Sequence, residues 1–475
     1  MRITFLVPPS FNHQQPAERT AGCTSVVYPM PNLYELTVAA CLERENYEVD
    51  YRFIWNKTTD FEDFISKDAS HIYIIWSVNL AIPTDLQVTQ LIRRYHPLCD
   101  ILFLGPAPTY FTDKFLLDEH TFAVRGEPDL TTVELVKCIE NQADFSLIDG
   151  ISFLQNGQVF HNPSRELIQN LDDLPFPARH FIAHFPFSNP KLKQMPYTAV
   201  VTSRNCPYSC IYCVPSSLTF AREIEYKSVH HCKPPVSFRS VENVVEEIEL
   251  LASQGYKAIA FLDDNFIWNE KRLIPIADTL KRHDIRWGCQ ARVDAITENI
   301  AKILADSHCQ FVDLGVESFD DDILKFIHKK ITRKQIIESI RFLNQYEVPV
   351  KLNILIGTSP LETNETIKNT LREVKKLKVS QVMFNIVSPF PGTEFYQMAK
   401  DNHWIEGDEY RPTDVQRHSI LNYPHLSSQE MEKLLFRNNL FFFLSPRFIV
   451  HQLGKFHSFK DFTCALKALK IKLFG

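Results

Sequence analysis

Three of the chain's 11 cysteines, Cys206, Cys210 and Cys213, fall within eight positions in the stretch "NCPYSCIYC". The C-x3-C-x2-C spacing puts three soft thiolate donors on one short loop, and such donors hold zinc or iron–sulfur clusters. A structural zinc needs a fourth ligand, and the nearest further donors are His230, His231 and Cys232 in "SVHHCKPP". A [4Fe–4S] cluster normally takes four cysteines. Three would hold three irons and leave the last open to something other than protein. The triplet follows the apolar run "YTAVVTS", which reads as a strand, and a strand's carboxyl end suits a reactive centre better than a closed zinc site. An electron carrier would close its cluster with a fourth protein ligand, so a non-catalytic carrier or sensor is the less favoured reading.

Two series of alternating strands and helices surround this loop. Over residues 1–145 the runs "RITFLV", "YEVDYRF", "HIYIIW", "DILFLG" and "TFAVRG" alternate with "NLYELTVAACLERE", "TDLQVTQLIRRY" and "DLTTVELVKCIE", which carry the 3.6-residue period. That pattern predicts a doubly wound, Rossmann-like α/β domain whose ligand crevice lies at the strands' carboxyl ends. Residues 146–195 read as a connector, with a hairpin turning at Asn156-Gly157 and a proline-rich "LDDLPFPARHF". Residues 196–404 repeat the alternation through "KAIAFLD", "IRWGCQAR", "CQFVDLGV", "VPVKLNILIG" and "SQVMFNIV", with Ser240 placed to cap "SVENVVEEIELLASQ". Six βα units predict a partial (β/α)6 TIM barrel, chemistry again at the carboxyl ends. Residues 405–475 read as a helical, aromatic C-terminal extension. Its last 30 residues carry six Lys and Arg against Asp461 alone, so they would pack on the barrel or lie on a membrane surface.

With these elements in place the chain resembles the radical S-adenosylmethionine (SAM) superfamily. The resemblance rests on the C-x3-C-x2-C loop, with aromatic Tyr212 before the last cysteine, and on the βα units that follow. It implies a [4Fe–4S] cluster on Cys206, Cys210 and Cys213 whose open iron chelates SAM. Reduction then splits SAM and yields a 5′-deoxyadenosyl radical. It also implies SAM-binding roles along the strand ends. One of Asp263, Asp264 and Asn265 in "FLDDNF" would receive the amino group, in place of the commoner Gly-Gly-Glu. Arg292 in "CQARVD" would meet the carboxylate. Glu317 and Ser318 in "GVESFDD" would contact ribose or carboxylate, and Gly357 in "ILIGTSPLET" would let the backbone approach adenine. Each has a structural alternative: Asp263 and Asp264 as helix caps, Arg292 as an ion-pair partner, Glu317 as a helix N-terminal charge.

A doubly wound domain ahead of such a barrel resembles the subgroup carrying a cobalamin (B12)-binding domain, which includes anaerobic magnesium-protoporphyrin ester cyclase and hopanoid-pathway proteins. "RGEPDLTTVELV", "LDDLPFPAR", "FLDDNFIWN", "GVESFDDDIL" and "PFPGTEFY" carry that likeness over nearly residues 1–400. The Asp-x-His-x-x-Gly loop that ligates cobalt elsewhere is missing, and His13 is the first loop's only histidine. Ser77, Gly105 and Pro106 would supply the small residues beside a cobalamin nucleotide. The alternative is a domain that has kept the fold and lost the cofactor.

The resemblance implies a cobalamin-linked enzyme that methylates, cyclises or rearranges a small or lipid-like metabolite, reduced by a donor such as flavodoxin or ferredoxin. A radical SAM enzyme without cobalamin that modifies tRNA or a peptide is the alternative. A net charge of −6 gives no basic footprint for nucleic acid. The N-terminus lacks a signal-peptide pattern and no apolar run reaches the ~18 residues of a spanning helix, so a cytoplasmic setting with reduced thiols is expected.

Overall fold

The computed structural model describes residues 1–445 except 12–15, 22–23, 25–29, 55–57, 186, 190, 193, 408–409 and 412. The basic segment beyond residue 445, His13 and Cys23 lie outside the described residues.

The first five apolar runs form β1 (Arg2–Val7), β2 (Glu48–Phe53), β3 (Ile72–Trp76), β4 (Asp100–Leu104) and β5 (Thr121–Val124), all parallel, in spatial order β2-β1-β3-β4-β5. Helices cover both faces, which is why β3 reads as an unbroken apolar run and is buried at every residue. The strand order reverses at β1/β3, the point where doubly wound sheets open a crevice. The hairpin β6 (Ile151–Gln155) and β7 (Gln158–His161) turns at Asn156 and Gly157, both at positive φ as a type I′ turn requires. It does not float in a connector as expected. β6 pairs antiparallel with β5, so the first sheet has seven strands and ends at His161. Edge pairing satisfies backbone groups that a free hairpin would leave to solvent.

The second series gives β8 (Tyr197–Val200), a short ribbon of β9 (Ser203–Arg204) with β10 (Ser237–Phe238), then β11 (Ala258–Phe261), β12 (Arg286–Arg292), β13 (Cys309–Glu317), β14 (Val350–Ile356) and β15 (Gln381–Ile386). β8 and β11–β15 form a six-stranded all-parallel sheet in sequential order, the wall of an incomplete barrel. Ile259, Phe261, Trp287, Val312, Leu314, Leu352 and Phe384 are buried on its outer side, against the helices. Ser240 accepts from the Asn243 amide, as its position predicts, and caps Val241–Ser253. The C-terminal helix Ser428–Phe443 packs along edge strand β15, with Phe442 and Phe384 rings 6.5 Å apart. That cover blunts an edge otherwise open to strand addition.

The two sheets dock through the helix Ser217–His230, which leaves the cysteine loop. Trp76 donates its indole N–H to Ser217 Oγ (3.1 Å), and the Ser217 amide donates to Thr20 O (2.7 Å). Arg204 pairs with Glu127 (3.0 Å) and Asp129 (2.9 Å), and Arg222 reaches Glu127 at 3.2 Å, all buried.

Candidate active site

The cysteine loop begins two residues past the β9 ribbon and lies at the carboxyl end of the barrel. Its backbone is pinned at Ile211, which donates to Ile327 O (3.3 Å) and accepts from the Phe395 amide (3.0 Å). Cys213 N bonds back to Cys210 O at 3.2 Å, and Lys233 donates to the carbonyls of Cys206 (3.2 Å) and Tyr208 (2.7 Å). Burial, then the neighbouring Cys210 and Cys206, push the Cys213 thiol well above its ordinary range, with Lys233 opposing. The three sulfurs therefore sit within electrostatic reach of one another. Among the described residues no three His, Cys, Asp or Glu side chains converge on a point as a single metal ion would require. Three free thiols thus lie on one loop, the number that three corners of a cluster would take, although their sulfurs do not converge in this arrangement.

The expected SAM contacts gather around this loop, with unequal freedom to bind. Asp263 accepts from Thr202 N (3.1 Å), Thr202 Oγ1 (2.7 Å) and Ser203 Oγ (2.6 Å), so it ties the end of β11 to that of β8. Asp264 accepts from Ser216 N (2.7 Å) and Thr219 Oγ1 (2.6 Å) at the start of the docking helix. Burial raises its carboxyl to about 6. Asn265 accepts from the Arg292 amide (3.3 Å) and donates to Ile267 O (3.2 Å). Arg292 is held by Asp294 (2.9 Å) and Lys329 O (2.8 Å), with its guanidinium carbon 3.4 Å from the Tyr208 ring centroid. The ion-pair alternative is therefore realised for Arg292, whereas the next helix, Glu270–Arg282, is capped by Asn269 and not by Asp263 or Asp264.

Glu317 stands at φ +67°, an uncommon conformation for a side chain other than glycine. It pairs with Lys329 Nζ at 2.9 Å, buried, and takes the Tyr212 hydroxyl. Burial, then Glu317, raises that phenol well above its ordinary range. A Cβ on Gly315 would lie 2.9 Å from Lys329 Nζ and 3.0 Å from Glu317 Oε1, so a side chain there would have to displace the ion pair. Ser318 is buried beside it and accepts from the Asp320 amide (3.2 Å). Gly357 takes φ +83°, but the space beside it holds Met431, whose sulfur would be 2.7 Å from an added Cβ. Its amide donates to Glu362 (3.0 Å), and its carbonyl accepts from Tyr423 (2.8 Å).

Sequence reasoning missed Lys329, Lys233 and Glu362. Glu362 stood inside the quoted "GTSPLET" and had a signal. The two lysines reach the site across 12 residues or more of helix and turn, with no local pattern to mark them.

In the first domain Ser77 and Gly105 meet as expected. Ser77 N donates to Leu104 O (2.7 Å), and a Cβ on Gly105 (φ +99°) would lie 2.7 Å from Ser77 O. Pro106 opens the short helix Pro106–Tyr110. The crevice at β1/β3 is filled from another direction. Arg19 enters it from the first loop, pairs with Asp85 (2.7 Å) and donates to the Trp76 carbonyl, with both side chains buried. Arg19 thus takes up space at the end of β3, beside the Ser77 loop where the resemblance would place a nucleotide tail.

Comparison with known proteins accords with this geometry. The Radical SAM superfamily description matches residues 200–374. The uncharacterized methyltransferase PH0819 of Pyrococcus horikoshii is 30% identical over 469 residues, 97% of this chain and 96% of that protein. The anaerobic magnesium-protoporphyrin IX monomethyl ester cyclase of a Synechocystis species is 25% identical over 361 residues, 73% of this chain and 67% of its own. The cobalamin-dependent S-adenosylmethionine radical enzyme OxsB, solved with aqua-cobalamin and S-adenosylmethionine, shares the fold. Its TM-score is 0.69 at 15% identity, across 100% of this chain and 71% of its own. The chain belongs to the radical SAM superfamily. It is an enzyme of a family that needs a reductant.

Proposed function

We propose that this radical SAM enzyme carries cobalamin between its two sheets and methylates a small, largely apolar molecule. The observation that carries the reading is the docking of the strand ends of a doubly wound domain onto the helix that leaves the three-cysteine loop. The relatives named as a methyltransferase and as a cobalamin-dependent enzyme support it.

Cys206, Cys210 and Cys213 would hold the cluster, with SAM on its fourth iron. When bound, the pair supplies a reductively generated carbon radical able to take hydrogen from an unactivated carbon. Lys233 ties down the loop's carbonyls at Cys206 and Tyr208. Lys329 and Tyr212 hold the Glu317 carboxylate at the strand end, for ribose or amino contact. Asp264 keeps the docking helix against the loop, and Arg292 closes the side beside Tyr208. The loops at Ser77, Gly105 and Pro106 would face the corrin ring. Free, largely buried thiols at Cys41, Cys138, Cys289 and Cys309 support a reducing cytoplasm, with a flavodoxin or ferredoxin as donor. No helix among the described residues is long and apolar enough to cross a membrane.

The test is anaerobic loading of the cluster-bearing enzyme with hydroxocobalamin, then desalting. Retention of about one corrinoid per chain is expected. An enzyme that splits SAM yet keeps no corrinoid overturns the cobalamin reading and leaves family membership intact.

A further inference from the structure

Side chains alternate across a strand, so the buried outer residues of the barrel imply an inner set. On β11–β15 the outward Ile259, Phe261, Val312, Leu352, Ile354 and Phe384 are at most 2% exposed. Of the inward residues, Gln290 is exposed, while Asn353, Leu355, Met383 and Asn385 are partly so. The inside of the barrel is therefore open to solvent at these positions. Cross-strand register sorts it into layers. Ala199, Ala260 and Gly288 lie in one row; Phe311, paired with Gly288, fills the space they leave and closes the floor. The row above is Gln290–Asp313–Lys351–Gln381 on four neighbouring strands, a polar band inside an otherwise apolar fold.

Two cations share one carboxylate oxygen in that band. Lys191, from the segment before β8, and Lys351 lie 2.7 and 2.9 Å from Asp313 Oδ2, and Lys191 Nζ sits 3.7 Å from the Phe311 ring centroid. Asp313 is 7% exposed, and its Oδ1 has no hydrogen-bond partner among the described residues. Each ammonium has three donors and, among the described residues, gives one to Asp313, so two cations face one carboxylate and the band holds one net positive charge. Burial, partly offset by Asp313, lowers the Lys191 ammonium to about 8, the mark of a cation short of partners. A second anion would relieve it. Such a triad could merely anchor the segment before β8, but anchoring leaves unexplained the exposed Gln290 and the solvent-open positions above it.

We propose that Lys191, Lys351, Asp313 and Gln290 form a subsite for a carboxylate carried by the substrate, with Asp313 Oδ1 accepting a hydroxyl or N–H beside the acid. The inference deepens the radical SAM reading and rests on it. Asp313 lies four residues below Glu317 on β13, about 13 Å at ~3.3 Å per residue. The acid would then stand the molecule upright past Leu355 and Met383, with the reacting carbon roughly that far from it. The substrate class is a carboxylic acid with a long apolar body.

Calorimetric titration of the cluster-loaded enzyme with octanoate, 4-phenylbutyrate and dodecanoate, each against its primary amide, tests this. At least one acid is expected to bind ten times more tightly than its amide. Lys351→Met should abolish that preference and Lys351→Arg should keep it. No preference for any acid in the unmodified enzyme, or a preference that survives Lys351→Met, overturns the subsite. The unmodified comparison needs no variant to fold. 5′-Deoxyadenosine formation without any acid present reports separately on the parent reading.

Discussion

Lys329 and Glu317 are a buried ion pair whose removal one partner at a time exposes what holds the strand end together. Lys329→Met leaves the Glu317 carboxylate buried with only Tyr212, which costs about 3–5 kcal/mol. Adding Glu317→Gln should restore much of that loss in denaturant unfolding, since the uncompensated charge goes with it. Equal instability of single and double variants would show that packing, not charge, is at stake. Glu35 gives a second expectation at this scale. Burial raises its carboxyl from 4.5 to about 7, against the opposing Tyr51 hydroxyl and Arg19. The folded state thus binds that proton more tightly than the unfolded one. The stabilising contribution is full below pH 4.5 and is lost as pH rises to 7. Glu35→Gln keeps an acceptor for Tyr51 and removes the charge. Its stability relative to the parent should rise between pH 5 and 8, by about 1–3 kcal/mol. A difference that does not change with pH would contradict the assignment.

At the scale of elements, the first strand series was legible because parallel strands buried on both faces leave continuous apolar runs, as in "HIYIIW", whereas β14 alternates, with Lys351 and Asn353 on its inner face. The cysteine loop was legible because its donors are local. Less legible were contacts made across the fold. Gly357 was read as a place for adenine, yet its missing Cβ also admits Met431 from the C-terminal helix. Positive φ and that overlap together make Gly357→Ala costly, by about 2–4 kcal/mol in thermal or denaturant unfolding. Met431→Ala added to it should relieve only the overlap, leaving the backbone strain. The Arg19 insertion was equally invisible, since 66 residues separate it from Asp85. If the proposed corrinoid binds with Arg19 in that place, cobinamide, which lacks the nucleotide, should bind about as tightly as cobalamin. A hundredfold preference for cobalamin in equilibrium dialysis would mean that Arg19 moves out.

Across the whole molecule, the two sheets meet at a buried network of Arg204, Arg222, Glu127 and Asp129 on one side and the Trp76–Ser217 bond on the other. Buried charge of this kind is weak as a source of stability but strict about geometry. It keeps the carboxyl ends of the first sheet facing the helix that begins four residues after Cys213. The cysteine loop lies at the carboxyl end of the same barrel whose inner face carries the polar band, so the proposed electron and substrate would meet at that end. The central claim is that the cluster's fourth iron is left for SAM. Its most direct test is the anaerobic enzyme carrying about four irons and four sulfides per chain, mixed with SAM and dithionite. The account expects 5′-deoxyadenosine from the parent chain, and neither cluster absorbance nor product from Cys210→Ala. A parent enzyme with its full cluster that releases no 5′-deoxyadenosine, or a Cys210→Ala variant that still does, would contradict it.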